Sequence, residues 1–243
     1  PFIARGLDAL NYGCYQDARF ILVATPSGVT LGPEGGAHQS INPPLIAMGQ
    51  PGLVHYEPAF ADELALLLHH AFGHVQAPDG ESVYFRLSTR SIPQIARAGT
   101  DWQAGAIAGG YWLREPAPGT EAAIIAMGAL LTEALAGWQA LQDEVPGLGL
   151  LAVTSPDLLH RGWRAGNSHI EALLAPLRPG ARLVTLCDAA PASLSWLGSV
   201  HGHRVVPLGV DRFGQTGDLV DLYAAHGLDS DAVVGAMARA LLD

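Results

Sequence analysis

Seven short β-type runs alternate with helical patterns along this chain, at 19–25, 52–56, 82–88, 122–127, 149–154, 182–187 and 203–208. Several are rich in Val, Ile and Leu and bounded by Gly or Pro, the pattern of strands buried on both faces. The clearest helix spans 58–75, where Leu64, Leu67, Leu68, Ala71, Phe72 and Val75 fall on one stripe at helical spacing. Pro58 suits its first turn, with Glu57 just ahead facing the helix N-terminus. Alternation of this kind predicts an α/β protein.

The texture changes over 92–110, a Gly- and Ala-rich stretch without a strong period. Two domains are therefore expected, 1–95 and 111–243, joined by a linker at 96–110. The second closes on a helix at 230–242. The first offers three strands and opens on a helix, 2–12, with no strand before it. A parallel sheet covered on both faces usually has more strands, so this domain is expected to be incomplete and the chain to begin inside a larger unit. The alternative is a small three-stranded domain packed on the second.

Composition excludes several chemistries. All 13 basic residues are Arg, so neither a pyridoxal Schiff base nor a P-loop lysine can be housed here. The net charge of −10 comes without any Arg cluster, which excludes a nucleic-acid partner. No apolar run approaches the roughly 20 residues that span a bilayer, and the first residues do not read as a signal peptide. Cys14 and Cys187 lack metal-type spacing and are expected to be buried, reduced thiols of a cytoplasmic protein.

The usual catalytic signatures are absent. There is no Gly-x-Ser-x-Gly elbow, and the glycines of Gly147-Leu148-Gly149 precede a strand, where a dinucleotide fingerprint follows one. His70 and His74, four apart on the side of Glu63, could share a metal or simply belong to a polar helix face. His201 and His203 pose the same choice in a loop. The cluster His160, Arg161, Trp163 and Arg164 reads as a packed surface turn. The informative segment is Leu31-Gly32-Pro33-Glu34-Gly35-Gly36-Ala37-His38-Gln39-Ser40. It follows a strand, where open α/β sheets bind ligands. Its glycines let the backbone approach a ligand, and it sets a carboxylate four residues ahead of an imidazole. An ordinary Gly-rich turn is the competing reading.

Here the chain resembles the thiamine-diphosphate enzymes of the transketolase and 2-oxoacid dehydrogenase superfamily. Glu34-Gly35-Gly36-Ala37-His38-Gln39 is similar to their Asp-Gly-Pro-Thr-His-Gln loop, and Phe2-Ile3-Ala4-Arg5-Gly6-Leu7-Asp8 to their aromatic-x-x-Arg-x-x-Asp helix. Glu57-Pro58-Ala59-Phe60-Ala61-Asp62-Glu63 resembles a segment of homodimeric pyruvate dehydrogenase components. Gly209-Val210-Asp211-Arg212-Phe213-Gly214 resembles their Gly-x-Asp-x-Phe-Gly stretch. Glu34 in place of the loop Asp points to that branch. So does Thr89 within Leu87-Ser88-Thr89-Arg90-Ser91-Ile92-Pro93, where sugar-phosphate users carry a phosphate-gripping Arg. Arg90, one place along, would face the other side of a strand.

The resemblance implies an incomplete parallel-sheet pyrimidine-binding domain followed by a transketolase C-terminal-type mixed-sheet domain that contributes to a homodimer. It implies thiamine diphosphate as cofactor and electron sink. Phe2 would stack on the aminopyrimidine, and Arg5 and Glu34 would sit on the cofactor side. His38 would donate a proton or orient the substrate carboxylate, since an imidazole passes protons near neutral pH. The substrate implied is a 2-oxoacid, pyruvate foremost, with the acyl group passing to a dihydrolipoamide acyltransferase component. The Mg²⁺-binding Gly-Asp-Gly motif does not occur in this sequence. The metal ligands are thus expected elsewhere, and the chain is expected to be inactive alone. Ketol transfer of the transketolase kind, or a non-catalytic subunit completing a dimer, are the alternatives.

Overall fold

The computed structural model describes residues 2–25, 28–166 and 168–242, with position 2 described in its backbone alone. Among the described residues, eight strands form two sheets. β1 (Ile21–Ala24), β2 (Leu53–Tyr56) and β3 (Ser82–Arg86) make a parallel sheet in the order β1-β3-β2. β4 (Gly110–Arg114), β5 (Ala122–Met127), β6 (Gly149–Val153), β7 (Arg182–Leu186) and β8 (Arg204–Leu208) make a mixed sheet in the order β4-β6-β5-β7-β8. Only β4 runs antiparallel to its neighbour; the other pairs are parallel.

The seven strands expected from the sequence form with ends displaced by two residues at most, and the helix Ser230–Leu242 closes the chain. β2, β3, β5 and β6 are buried along their whole length; β5 and β6 read as continuous apolar runs, while β2 and β3 bury His55 and Arg86 among apolar neighbours. β1 is different. It pairs with β3 alone, and Val23 stays 49% exposed.

One face of the mixed sheet packs Ile124, Ala126, Leu130 and Met237 into a cluster that reaches Val29 and Phe60, which follow β1 and β2. The opposite face packs Ile125, Leu151, Leu183 and Cys187. A fully buried aliphatic side chain contributes about 1.5–3 kcal/mol, against about 1 for a typical hydrogen bond. The shared apolar face therefore does most to hold the two sheets together.

Several expectations need correction. The opening helix is broken at Gly6 into Phe2–Arg5 and Leu7–Tyr15. The helix expected to start at Pro58 starts at Ala61, because the Glu63 carboxylate accepts the Ala59 and Phe60 amides at 2.7 and 3.2 Å and caps the chain there. Glu57 is accordingly not at the helix N-terminus, and Phe72 leaves the apolar stripe, 59% exposed. The stretch 96–110 is not featureless: it holds the helix Trp102–Ala108 and runs into β4, which the sequence pattern missed. Arg97 ties it down, donating to Asp62 at 2.7 Å, Glu63 at 3.2 Å and Tyr111 at 2.8 Å while lying 4.2 Å over the Trp102 ring. Finally, β3 ends at Arg86, so Arg90 lies beyond the strand and its direction is set by partners, not by pleat.

Cys14 and Cys187 are buried and free, as expected. Among the described residues no helix is long and apolar enough to cross a membrane.

Candidate active site

Parallel strands deliver their carboxyl ends to the same edge. The 28–40 loop follows β1, Glu57 follows β2, Arg86 ends β3, Asp188 follows β7 and the 209–217 segment follows β8. These ends of the two sheets meet in a buried polar cluster. Arg86, fully buried, donates Nη1 to Glu57 Oε1 at 2.6 Å, and Nη2 to the carbonyls of Ser40 at 3.0 Å and Asp188 at 2.7 Å. Burial opposes the guanidinium charge, but Glu57 and Asp188 outweigh it and raise the Arg86 pKa further. The Asp188 carboxylate accepts the Val29 and Thr30 amides at 2.6 and 3.0 Å.

His55 sits beside this pair. Its ring is wholly buried, stacked 5.2 Å from Tyr84, with Nε2 3.9 Å from Glu57 Oε2. Burial first, and the Arg86 charge second, pull its pKa down to about 3. The His55 amide reaches Asp157 Oδ2 at 3.4 Å; burial pushes that carboxyl up to about 7 even with Arg161 3.0 Å away.

The 28–40 loop coils through two 3₁₀ turns, Val29–Glu34 and Gly36–His38. Gly35 between them has φ +134°, a conformation that only glycine adopts easily. Glu34 is exposed and His38 half-buried on either side of it. Gln39 is buried, accepting the Gly214 amide at 3.0 Å and donating to the Gln215 carbonyl at 3.2 Å. The Gly36 amide donates to Thr216 Oγ1 at 3.2 Å. Thr30 and Tyr223 share a 2.7 Å hydroxyl contact, and Arg90 donates to Tyr223 at 3.3 Å and to Glu133 at 2.8 Å. Two sequence motifs separated by some 170 residues, the His38 loop and the Phe213-Gly214 stretch, are thus in direct contact.

The expected site residues do not all gather. Glu34 and His38 share the loop. Arg5 is exposed on the Phe2–Arg5 helix, and the Phe2 side chain lies outside the described residues. A cavity lined by Pro58, Phe60, Ser88, Arg90 and Ala129 opens at the ends of β2 and β3, and His38 does not line it.

Among the described residues no group of three or more His, Cys, Asp or Glu side chains is placed to hold a metal ion, and one histidine of each pair has another partner. His74 Nε2 accepts the Glu81 amide at 3.1 Å, and His201 approaches the Glu171 carbonyl at 3.2 Å. His160, Arg161, Trp163 and Arg164 lie not on a turn but on the helix Pro156–Arg164, capped by Ser155. There Arg161 pairs with Glu81 and Asp157, and the Trp163 ring stacks on Trp196 at 5.6 Å.

Sequence reasoning missed Arg86 and Asp188, and placed Glu57 at a helix end. The signal was present: a charged side chain ends or follows an otherwise apolar buried strand, and such a charge needs a partner from elsewhere in the fold.

No family model matches the chain. It is 29% identical over 255 residues to the pyruvate dehydrogenase E1 component of Mycolicibacterium smegmatis, an alignment covering 96% of this chain and 27% of that protein. It is 24% identical to the chloroplastic transketolase of Craterostigma plantagineum, covering 94% of this chain and 41% of that one. Its homologues are pyruvate dehydrogenase E1 components and transketolases. The transketolase of Leishmania mexicana superimposes with a TM-score of 0.80 over 98% of this chain and 32% of that chain, at 19% identity. The fold, a parallel sheet followed by a mixed one, is that of the transketolases. The chain spans between about a quarter and two fifths of the length of these relatives.

Proposed function

We propose that this chain is the C-terminal part of a thiamine-diphosphate-dependent decarboxylase of 2-oxoacids, pyruvate foremost, that works as a homodimer. In this reading the acyl group passes to the lipoyl arm of a dihydrolipoamide acyltransferase. The observation that carries the reading is the Gln39 bridge, which joins the His38 loop to Gly214 and Gln215 and brings two of the motifs shared with pyruvate dehydrogenase components together. Arg90 supports a substrate without phosphate: its guanidinium is committed to Glu133 and Tyr223.

The loop suits the ring and substrate end of the cofactor. It lies at the carboxyl edge of a parallel sheet, leaves Glu34 exposed and His38 half-exposed, and is fixed beneath by Asp188 and Gln39. The diphosphate and its Mg²⁺ are assigned to residues outside this chain. When bound, thiamine diphosphate supplies the electron sink for loss of CO₂. His38 would hold or deliver a proton at its imidazole, or orient the substrate carboxylate. Phe2 would pack against the pyrimidine ring, and Arg5 and Glu34 would sit on the cofactor side.

In the full-length enzyme, His38→Ala is expected to lower turnover of pyruvate with an artificial oxidant by about 10²–10⁴-fold, with an unchanged circular dichroism spectrum. Near-normal turnover would remove His38 from the reaction. Assaying xylulose 5-phosphate with an aldose acceptor separates the transketolase alternative; turnover of that pair and not of pyruvate overturns the proposal.

A further inference from the structure

The loop that carries Glu34 and His38 is held at both ends by side chains that follow or end two strands in different sheets. At its start, the Asp188 carboxylate takes the Val29 amide on one oxygen and the Thr30 amide on the other. Both amides are buried, so no water substitutes for the carboxylate. At its finish, Arg86 Nη2 donates to the Ser40 carbonyl at 3.0 Å. The two anchors are joined, because the same nitrogen donates to the Asp188 carbonyl at 2.7 Å while Glu57 holds the other arm of the guanidinium. The approach at Gly28 is as close as a backbone permits: a Cβ there would lie 2.3 Å from the Asp188 carbonyl and carboxylate oxygens.

We propose that Asp188 and Arg86 are positioning residues that close the 28–40 loop at its base and so set where His38 stands. Neither need touch the substrate. The proposal rests on the role argued above for His38, and it gives the second sheet a part in the chemistry as well as in packing. Charge-assisted hydrogen bonds to main-chain amides are roughly twice as strong as neutral ones, and a displacement of about 1 Å at a reacting group can cost on the order of 10²-fold in rate. Gln39 and Thr30 still tether the loop when the clamp is weakened. The loop should therefore loosen without melting.

The test uses the full-length enzyme with Asp188→Asn, which keeps the shape and one acceptor, Asp188→Ala, which keeps neither, and Gly28→Ala, which leaves the carboxylate but crowds it. Hydrogen–deuterium exchange is followed over 28–40 and, as an internal reference, over β5. We expect faster exchange in the loop, unchanged exchange in β5, and kcat lowered about tenfold or more with KM little altered. The loss should be smaller for Asn than for Ala. Loop exchange identical to the wild type in all three variants overturns the clamp. Faster loop exchange with normal kcat, in an enzyme where His38→Ala is damaging, overturns the positioning role. If His38→Ala is itself silent, the proposed function fails, and the exchange data still decide whether the loop is pinned.

Discussion

Arg86→Met should destabilise the chain by about 3–5 kcal/mol, the cost of leaving one half of a buried ion pair alone. Glu57 is 2% exposed, and its charge would be left in the core beside a neutral His55 and the like charge of Asp188, with no cation beside it among the described residues to offset it. The carbonyls of Ser40 and Asp188 would lose the Arg86 hydrogen bond in the same step. Methionine fills much of the arginine volume, so the loss reports charge more than cavity. The double variant Glu57→Met/Arg86→Met is the control, since replacing both members of a buried pair by apolar groups is often neutral. Urea unfolding of the wild type, the single and the double variant measures this. A single variant within about 1 kcal/mol of the wild type would mean that the pair is not the anchor its geometry indicates.

The second large effect is in pH. His55 has a folded pKa of about 3 against an ordinary value of 6.5. The unfolded chain takes up the proton first, so the stability held by neutral His55 is complete above about 6.5 and is lost as pH falls toward 3. Every tenfold change in proton affinity between the folded and unfolded chain is worth about 1.4 kcal/mol, which makes this a loss of several kcal/mol. Asp157 acts in the opposite sense. Its folded pKa of about 7 exceeds the ordinary value of 3.8, so its contribution grows as pH falls from 7 to about 4.

The two nearly offset one another between pH 4 and 6.5, which leaves the acid loss there to His70, His160, His203 and His226, whose pKa values burial also lowers. Replacing His55 by Phe, which keeps a ring against Tyr84, should unmask Asp157: acidification from pH 7 to 4.5 then costs less stability than in the wild type. Asp157→Asn should steepen the acid loss. Denaturant midpoints at pH 7 and 4.5 decide it, and parallel profiles for the wild type and both variants would refute the assignment.

The α/β class and seven strands could be read from the sequence because most of them are short Val-, Ile- and Leu-rich runs bounded by Gly or Pro and alternating with helices. β4 could not: it is an antiparallel edge strand whose Tyr-Trp-Leu-Arg segment carries neither an apolar run nor a clean alternation. The helix start at Ala61 was misread because Pro58 is a common first-turn residue, whereas the cap came from Glu63, three residues beyond Phe60. At the site, the loop with Glu34 and His38 was legible through its glycines and its place after a strand. Its anchors were not. Arg86 and Asp188 are about 100 residues apart in sequence, and no local pattern tells which charge at a strand end will find which partner.

The segment 96–110 looks like a place to cut, yet Arg97 binds it to the Ala61–His74 helix, and the Arg86 cluster needs backbone from both halves. The halves therefore share one cooperative melting unit. Calorimetry should give a single heat-absorption peak whose van't Hoff and calorimetric enthalpies agree. Cutting the gene at that segment should yield two chains that each fail to hold their native shape.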